Sequence, residues 1–246
     1  MPARTTTTAR RARGGVVSLS GIDGSGKSTQ AAALAEALRD AGVDAVVEWS
    51  RITYDPALRA IAAPVKRALG WVASRRAGLL RPETMPQRSP WDPPATEADV
   101  AARGLRDRLP AVDAGWILVV AVVHALGPRR TLRPHLRAGR SVVRDRYVLD
   151  ATVQLEDVYG DGRAAGLPGR VLRRLCPSPV VAFWLDADPE AAYARKPEEY
   201  TSAQLARHRA HYAAVHERLG AVRVDADRDP AAVTADIVRE TRRRLP

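Results

Sequence analysis

A glycine-rich turn between an apolar run and a helical pattern constrains this chain more than any other feature. Residues 21–28 read GIDGSGKS and match G-x-x-x-x-G-K-[ST] at every fixed position. The apolar, β-branched run at 16–20 predicts a buried strand, and the helical spacing at 27–41 ends at Gly42. Glycines let such a loop curl so that its backbone N–H groups point at a phosphate. The arrangement therefore predicts a phosphate-binding loop.

The side chains of this loop are those expected of a site for ATP and Mg²⁺. Lys27 would place its charge on the β- and γ-phosphates, beside the positive end of the helix that starts there. The hydroxyl of Ser28 would ligate Mg²⁺. The predicted nucleotide site comprises Gly21, Ile22, Asp23, Gly24, Ser25, Gly26, Lys27, Ser28 and Thr29.

Strand and helix patterns alternate along the rest of the chain. This alternation predicts an α/β fold with a parallel sheet and helices on both faces. An apolar run at 114–126 is too short to span a bilayer and predicts a buried helix. Further strands are predicted at 44–49, 141–145, 180–186 and 222–225, and further helices at 189–195, 202–219 and 230–244. Asp188 is predicted to cap the helix at 189–195.

The chain of 246 residues predicts one domain, spanning 15–246, because 46% of its residues are hydrophobic and can form a sizeable core. A basic tail at 1–14 is predicted to be disordered. The proline-rich segment at 75–110 is either a lid or binding element, or a surface insertion.

Charge and cysteine content limit the partners and the compartment. The net charge of +11 suggests an anionic partner, but the basic residues concentrate in the two tails, which argues against nucleic acid. A phosphorylated small molecule fits better. The single Cys176 and the lack of a stretch of signal-peptide length predict a cytoplasmic protein that is not inserted in a membrane.

Several motifs, taken in order, separate the possible phosphate-loop enzymes. The chain lacks the N/T-K-x-D motif of GTPases, and its third predicted strand ends in DRY at 145–147 where motor ATPases carry Asp-Glu. GIDGSGKSTQ at 21–30, DRY, LDADPEAAYARK at 185–196 and VDADRDPAAVTADI at 224–237 together resemble the thymidylate kinase family of P-loop nucleoside monophosphate kinases. The resemblance implies a three-layer P-loop NTPase fold with a five-stranded sheet in the order 2-3-1-4-5. It also implies a short lid at 195–203 and, commonly, a homodimer.

The resemblance also implies how an acceptor monophosphate would be held. Arg146 would grip the acceptor phosphate, together with Arg51 after the second strand. Asp23 would reach the acceptor sugar or the shell of the magnesium ion. Tyr147 would lie beside the acceptor cleft.

The residues implied for the transfer itself come from two further segments. Asp145 would hold Mg²⁺ with Ser28, through water, or orient the acceptor. Arg195 and Lys196 would close from the lid onto the transferring group. Ser25 stands where some relatives place a catalytic arginine, so a lid cation would take that role.

The base-reading positions of the family are not matched. Its aromatic ring and arginine fall at Val120 and His124, and its sugar-reading tyrosine falls at Gln154. Either dTMP is still the acceptor, or the acceptor is another phosphate ester or specialised metabolite. A third alternative is a nucleotide-binding protein without turnover. For dTMP, the stacking surface would come from Trp116, Tyr54 or Trp91.

Overall fold

The computed structural model of the protein describes residues 14–49, 97–160, 165–198 and 200–245, with isolated positions at 60, 63, 64, 67, 68, 71 and 162. Four predictions fall outside this part of the chain. They concern the basic tail up to residue 13, Arg51, the aromatic residues Tyr54 and Trp91, and the segment 75–110 as far as residue 96.

A five-stranded parallel sheet forms the centre of the fold, in the predicted order β2-β3-β1-β4-β5. Every residue of the central strand is buried, which explains why its sequence is a continuous apolar run and not an alternating one. The predicted strands are confirmed. They are β1 (Val16–Gly21), β2 (Ala45–Trp49), β3 (Ser141–Asp145), β4 (Val181–Asp186) and β5 (Val222–Asp225).

Helices cover both faces of the sheet, as predicted. They are α1 (Lys27–Asp40), α2 (Glu97–Arg108), α3 (Pro110–Arg137), α4 (Val148–Tyr159), α5 (Leu167–Leu175), α6 (Pro189–Arg195), α7 (Ser202–Val215) and α8 (Pro230–Arg244). On one face, α1 and α8 pack against the strands. On the other, α3, α4 and α5 enclose a second cluster, and α4 and α7 close a third over Trp184 of β4.

Two predicted helices differ from those observed. The helix predicted at 202–219 ends at Val215, and a 3₁₀ turn, Glu217–Leu219, follows it. The apolar run at 114–126 belongs to a helix of 28 residues, and the end of the proline-rich segment forms α2. The predicted burial applies to one side of α3, since Ala121 is buried while Val119 is 38% exposed.

Helix α3 is long and apolar enough to cross a membrane by length and composition, with a mean hydropathy of 1.7 over its best 18 residues. The core helix of a globular domain can pass the same test. Here Ile117, Ala121 and Leu132 pack into the cluster that also contains Val142 of β3 and Leu172 of α5. The apolar side of α3 therefore covers the sheet.

Candidate functional site

The loop between β1 and α1 depends on two glycines for close backbone contacts. A Cβ atom on Gly21 would lie 2.5 Å from the carbonyl oxygen of Leu185. Gly24 has a φ of +83°, and a Cβ atom there would lie 2.2 Å from the carbonyl oxygen of Ala192, in the middle of α6. Side chains at either position would push the loop away from β4 or α6. Gly26, Ser28 and Thr29 are exposed at the head of α1, where backbone N–H groups are open to a ligand.

Lys27 is folded back onto this loop. Its ammonium Nζ donates to the carbonyl oxygens of Gly21 at 2.8 Å and Ile22 at 2.7 Å, and lies 3.8 Å from Oδ1 of Asp23. Burial, and then the charge of Arg146, lower the pKa of Lys27 to about 8. The loop therefore holds a buried cation that keeps its charge at neutral pH and loses it above about pH 8.

Ser28 and Asp145 meet where β3 ends beside α1. The hydroxyl Oγ of Ser28 donates to Oδ2 of Asp145 at 2.6 Å. The other carboxylate oxygen, Oδ1, is buried and has no hydrogen-bond partner among the described residues. A hydroxyl and a carboxylate with an unused oxygen fit Mg²⁺, which takes hard oxygen ligands and keeps several waters. The described residues contain no cluster of three or more His, Cys, Asp or Glu side chains that could hold a metal ion.

Arg146 follows β3 directly and turns back to the loop. Its φ of 72° makes it the only non-glycine with positive φ in the described part of the chain. The backbone N–H of Arg146 donates to the carbonyl of Leu19, and its guanidinium forms an ion pair with Asp23. Burial opposes the charge, but Asp23 and then Asp150 raise the pKa of Arg146 overall. The two cations predicted for separate tasks, Lys27 and Arg146, thus lie at one carboxylate.

The end of α6 brings Arg195 to the same loop. Its Nη1 donates to the carbonyl oxygen of Gly24 at 3.2 Å, and Nη2 lies 3.5 Å from Asp227. Lys196 is the C-cap of α6 and is partly exposed. The predicted cap is confirmed at the other end of the helix, where Asp188 accepts from the backbone of Glu190 and Ala191. Because α6 has only two turns, this cap also fixes Arg195.

The positions predicted to contact an acceptor have a different environment. Val120 and His124 are buried in α3, and Gln154 is half-buried in α4. Tyr147 is buried in the cluster between α3 and α5, with its hydroxyl donating to the carbonyl of Pro177 at 2.6 Å. Its ring and hydroxyl are both used in packing, and the position of Tyr147 beside an acceptor cleft stays a prediction.

Trp116, a candidate stacking surface, is already engaged. Its Nε1 donates to the hydroxyl of Tyr159 at 3.0 Å. The guanidinium of Arg106 lies 5.6 Å from the centre of the Trp116 ring and 5.4 Å from that of Tyr159. A ligand base that stacked on Trp116 from that side would have to displace Arg106.

One residue of the site was not predicted. Asp150, in the first turn of α4, lies near both cations and accepts hydrogen bonds from Ser20, Tyr147 and Tyr212. Asp150 is the third residue of α4 and Tyr147 is its N-cap, so the capping-box spacing could have indicated the hydrogen bond between them. No local pattern could have indicated the partners on β1 and α7.

One protein of known family is similar to this chain over most of its length. The chain is 32% identical to the thymidylate kinase of Dinoroseobacter shibae (strain DSM 16493 / NCIMB 14021 / DFL 12) over 184 residues, which cover 74% of this chain and 69% of that protein. No protein-family model matches the chain.

Proposed function

The chain belongs to the thymidylate kinase family of nucleotide kinases, and on that premise we propose that it transfers the γ-phosphate of ATP to a nucleoside monophosphate, with dTMP the first candidate. The observation that carries the proposal is the ion pair between Arg146 and Asp23. It puts a guanidinium suited to a phosphate monoester at the edge of a loop suited to a triphosphate.

On the donor side, the loop at 21–28 wraps the triphosphate of ATP. The ammonium of Lys27 leaves the carbonyls of Gly21 and Ile22, 2.8 and 2.7 Å away, for the β- and γ-phosphates. Ser28 and Asp145 would hold Mg²⁺, and the ion would neutralise charge on the phosphates. Ile22, Gly24, Ser25, Gly26 and Thr29 complete the cradle. The hydrogen bond between Ser28 and Asp145 supports this assignment because it already brings both ligands together.

On the acceptor side, Arg146 exchanges Asp23 for the phosphate of the acceptor. Asp23, on giving up its ion pair with Arg146, would reach the acceptor sugar or the shell of the magnesium ion. Arg195 and Lys196, in a lid at 195–203, stabilise the negative charge of the transferring group. The contact of Arg195 with the carbonyl of Gly24 supports this role, since it places the lid arginine on the loop. Arg51, outside the described residues, is proposed as a second grip on the acceptor phosphate.

A second candidate acceptor is favoured by one observation. The base-reading positions Val120 and His124 are buried in α3, and Trp116 is covered by Arg106. These surroundings suit an acceptor whose non-phosphate part is not thymine, such as another phosphate ester.

We further propose that the kinase domain spans 15–246, works in the cytoplasm and forms a homodimer. Light scattering would test the homodimer.

The acceptor is identified by ADP release from ATP·Mg²⁺ with a panel of nucleoside monophosphates, sugars and phosphate esters. Turnover with dTMP is expected. Turnover with another acceptor and none with dTMP would establish the second candidate. ATP binding without turnover on any acceptor would leave a nucleotide-binding protein.

The Arg195→Ala variant tests whether the lid cation serves the chemical step. We expect turnover to fall by about 10³-fold, the scale of an arginine finger, while the Kd for ATP changes by less than about threefold. The Arg228→Ala variant is the control, because Arg228 pairs with Asp236 on the exposed surface and should leave both unchanged. Loss of ATP binding with unchanged turnover per bound ATP would contradict the role of Arg195.

A further inference from the structure

Asp150 is a buried carboxylate that joins three elements of the fold. It is 5% exposed, and its Oδ2 accepts from Oγ of Ser20 on β1 at 2.6 Å and from the backbone N of Tyr147 at 2.8 Å. Its Oδ1 accepts from the hydroxyl of Tyr212 on α7 at 2.7 Å. A buried charge is tolerated only when hydrogen bonds and opposite charges surround it. Asp150 has both, since Lys27 and Arg146 lie within its electrostatic reach.

The hydrogen bond from the backbone N–H of Tyr147 to Asp150 holds the turn that contains Arg146. Arg146 has a left-handed conformation, which is costly for a residue with a side chain and persists only where its surroundings hold it. Two hydrogen bonds do so here. The N–H of Arg146 donates to Leu19 at 3.0 Å, and the next N–H along the chain, that of Tyr147, donates to Asp150. The direction of the Arg146 side chain toward Asp23 depends on this turn.

The bond from Tyr212 extends the connection toward the lid. Tyr212 is buried in α7, the helix that begins at Ser202 at the end of the segment that carries Lys196. Helix capping needs only the bond to Tyr147 and explains neither Ser20 nor Tyr212. We propose that Asp150 is a positioning residue that fixes Arg146 for the acceptor phosphate and ties that turn to helix α7. This inference rests on the proposed kinase function.

The Asp150→Asn variant tests the carboxylate, since it keeps the size of the side chain and removes its charge. We expect kcat/KM for the acceptor to fall about 10²-fold, because a catalytic group displaced by about 1 Å loses that much. The Kd for ATP, measured separately, should change by less than about threefold. The matched control is Asp157→Asn: Asp157 also joins α4 to α7, through Arg207 and His208, but away from the loop, so kcat/KM should stay within about twofold.

A double-mutant cycle with Arg146→Ala decides whether Asp150 acts through that arginine. We expect the Asp150→Asn change to cost little once Arg146 is removed, because a positioning residue has nothing left to position. Additive losses, equal weakening of ATP and acceptor, or a loss no larger than in the Asp157→Asn control would overturn the inference and leave Asp150 as a cap.

A further variant covers the case in which Asp150→Asn does not fold. Tyr212→Phe removes the hydrogen bond that Tyr212 donates to Oδ1 of Asp150, and it should lower kcat/KM for the acceptor severalfold. In the Arg146→Ala background the same change should have no effect. No effect of Tyr212→Phe on the acceptor would then overturn the inference. Wild-type protein that turns over no monophosphate would instead overturn the proposed function, and the inference with it.

Discussion

The phosphate loop, residues 21–28, and helix α3 both border the core, but they differ in the kind of side chain that surrounds them. Around the loop, the buried Lys27 and the half-buried Arg146 both lie beside the buried carboxylate of Asp23. Along α3, the buried side is mostly apolar, with His124 its one buried polar side chain. Buried charges are kept where a function needs them, whereas an apolar stripe is what any core helix needs.

This difference indicates which half of the reaction depends on fixed residues. A phosphoryl group presents the same oxygens and charge whatever molecule carries it, so donors and cations in one geometry serve every substrate. The remainder of an acceptor varies, and the apolar side of α3 carries no comparable set of polar groups. The comparison therefore predicts that substitutions in the loop abolish phosphate binding. It also predicts that polar substitutions on the buried side of α3 destabilise the fold without a direct effect on phosphate chemistry.

The largest expected effect tests the loop through Gly24. Gly24→Ala adds a Cβ atom 2.2 Å from a carbonyl oxygen at a φ of +83°, so strain and overlap combine. We expect a loss of at least about 3 kcal/mol in the free energy of unfolding and loss of ATP binding. Gly42→Ala is the matched control, since its φ is +80° but no atom lies within 4 Å; it should cost about 1 kcal/mol and leave binding intact. If urea unfolding gave the two variants equal losses in the free energy of unfolding, the close backbone contact of Gly24 would not be what limits the loop.

A smaller effect is expected in α3, at Val120. Val120→Phe restores an aromatic ring at the base-reading position, but the site is buried against β3 and α5. We expect destabilisation of about 2 kcal/mol from overpacking and no gain in turnover with dTMP. Thermal unfolding and the ADP-release assay measure the two outcomes. Increased turnover with dTMP at unchanged stability would show that this part of α3 opens onto the acceptor.

The smallest expected effect is the pH dependence of ATP binding. Because the pKa of Lys27 is lowered to about 8 and phosphate requires its charged form, the free protein must take up a proton to bind ATP above that pH. The Kd should rise up to about tenfold per pH unit above pH 8, and should be nearly flat below it. Lys27→Arg keeps its charge and should bind with no such rise. Calorimetric titrations at pH 7 and 9 distinguish these cases; a rise in the arginine variant would point to another group.

The five strands and the cap of α6 were predicted correctly from neighbouring residues. The cap of α6 at Asp188 was predictable because the cap and the N–H groups it accepts from lie within three residues. The length of α3 was missed because Pro128 and Pro134, inside its polar second half, obscure the helical pattern. The residues that cover Tyr147 were not predicted, because they come from α3 and α5, which are distant in the chain.

The amino-acid sequence by itself determined the order of strands and helices, the glycine turn and the residue types available to a phosphate. Those features depend on backbone geometry and on side-chain spacing over a few residues. Only the tertiary structure decided that Arg146 pairs with Asp23 and that Asp150 joins β1, α4 and α7. Such contacts join residues 62 to 130 positions apart, and they form only once the sheet brings its strand ends to one edge.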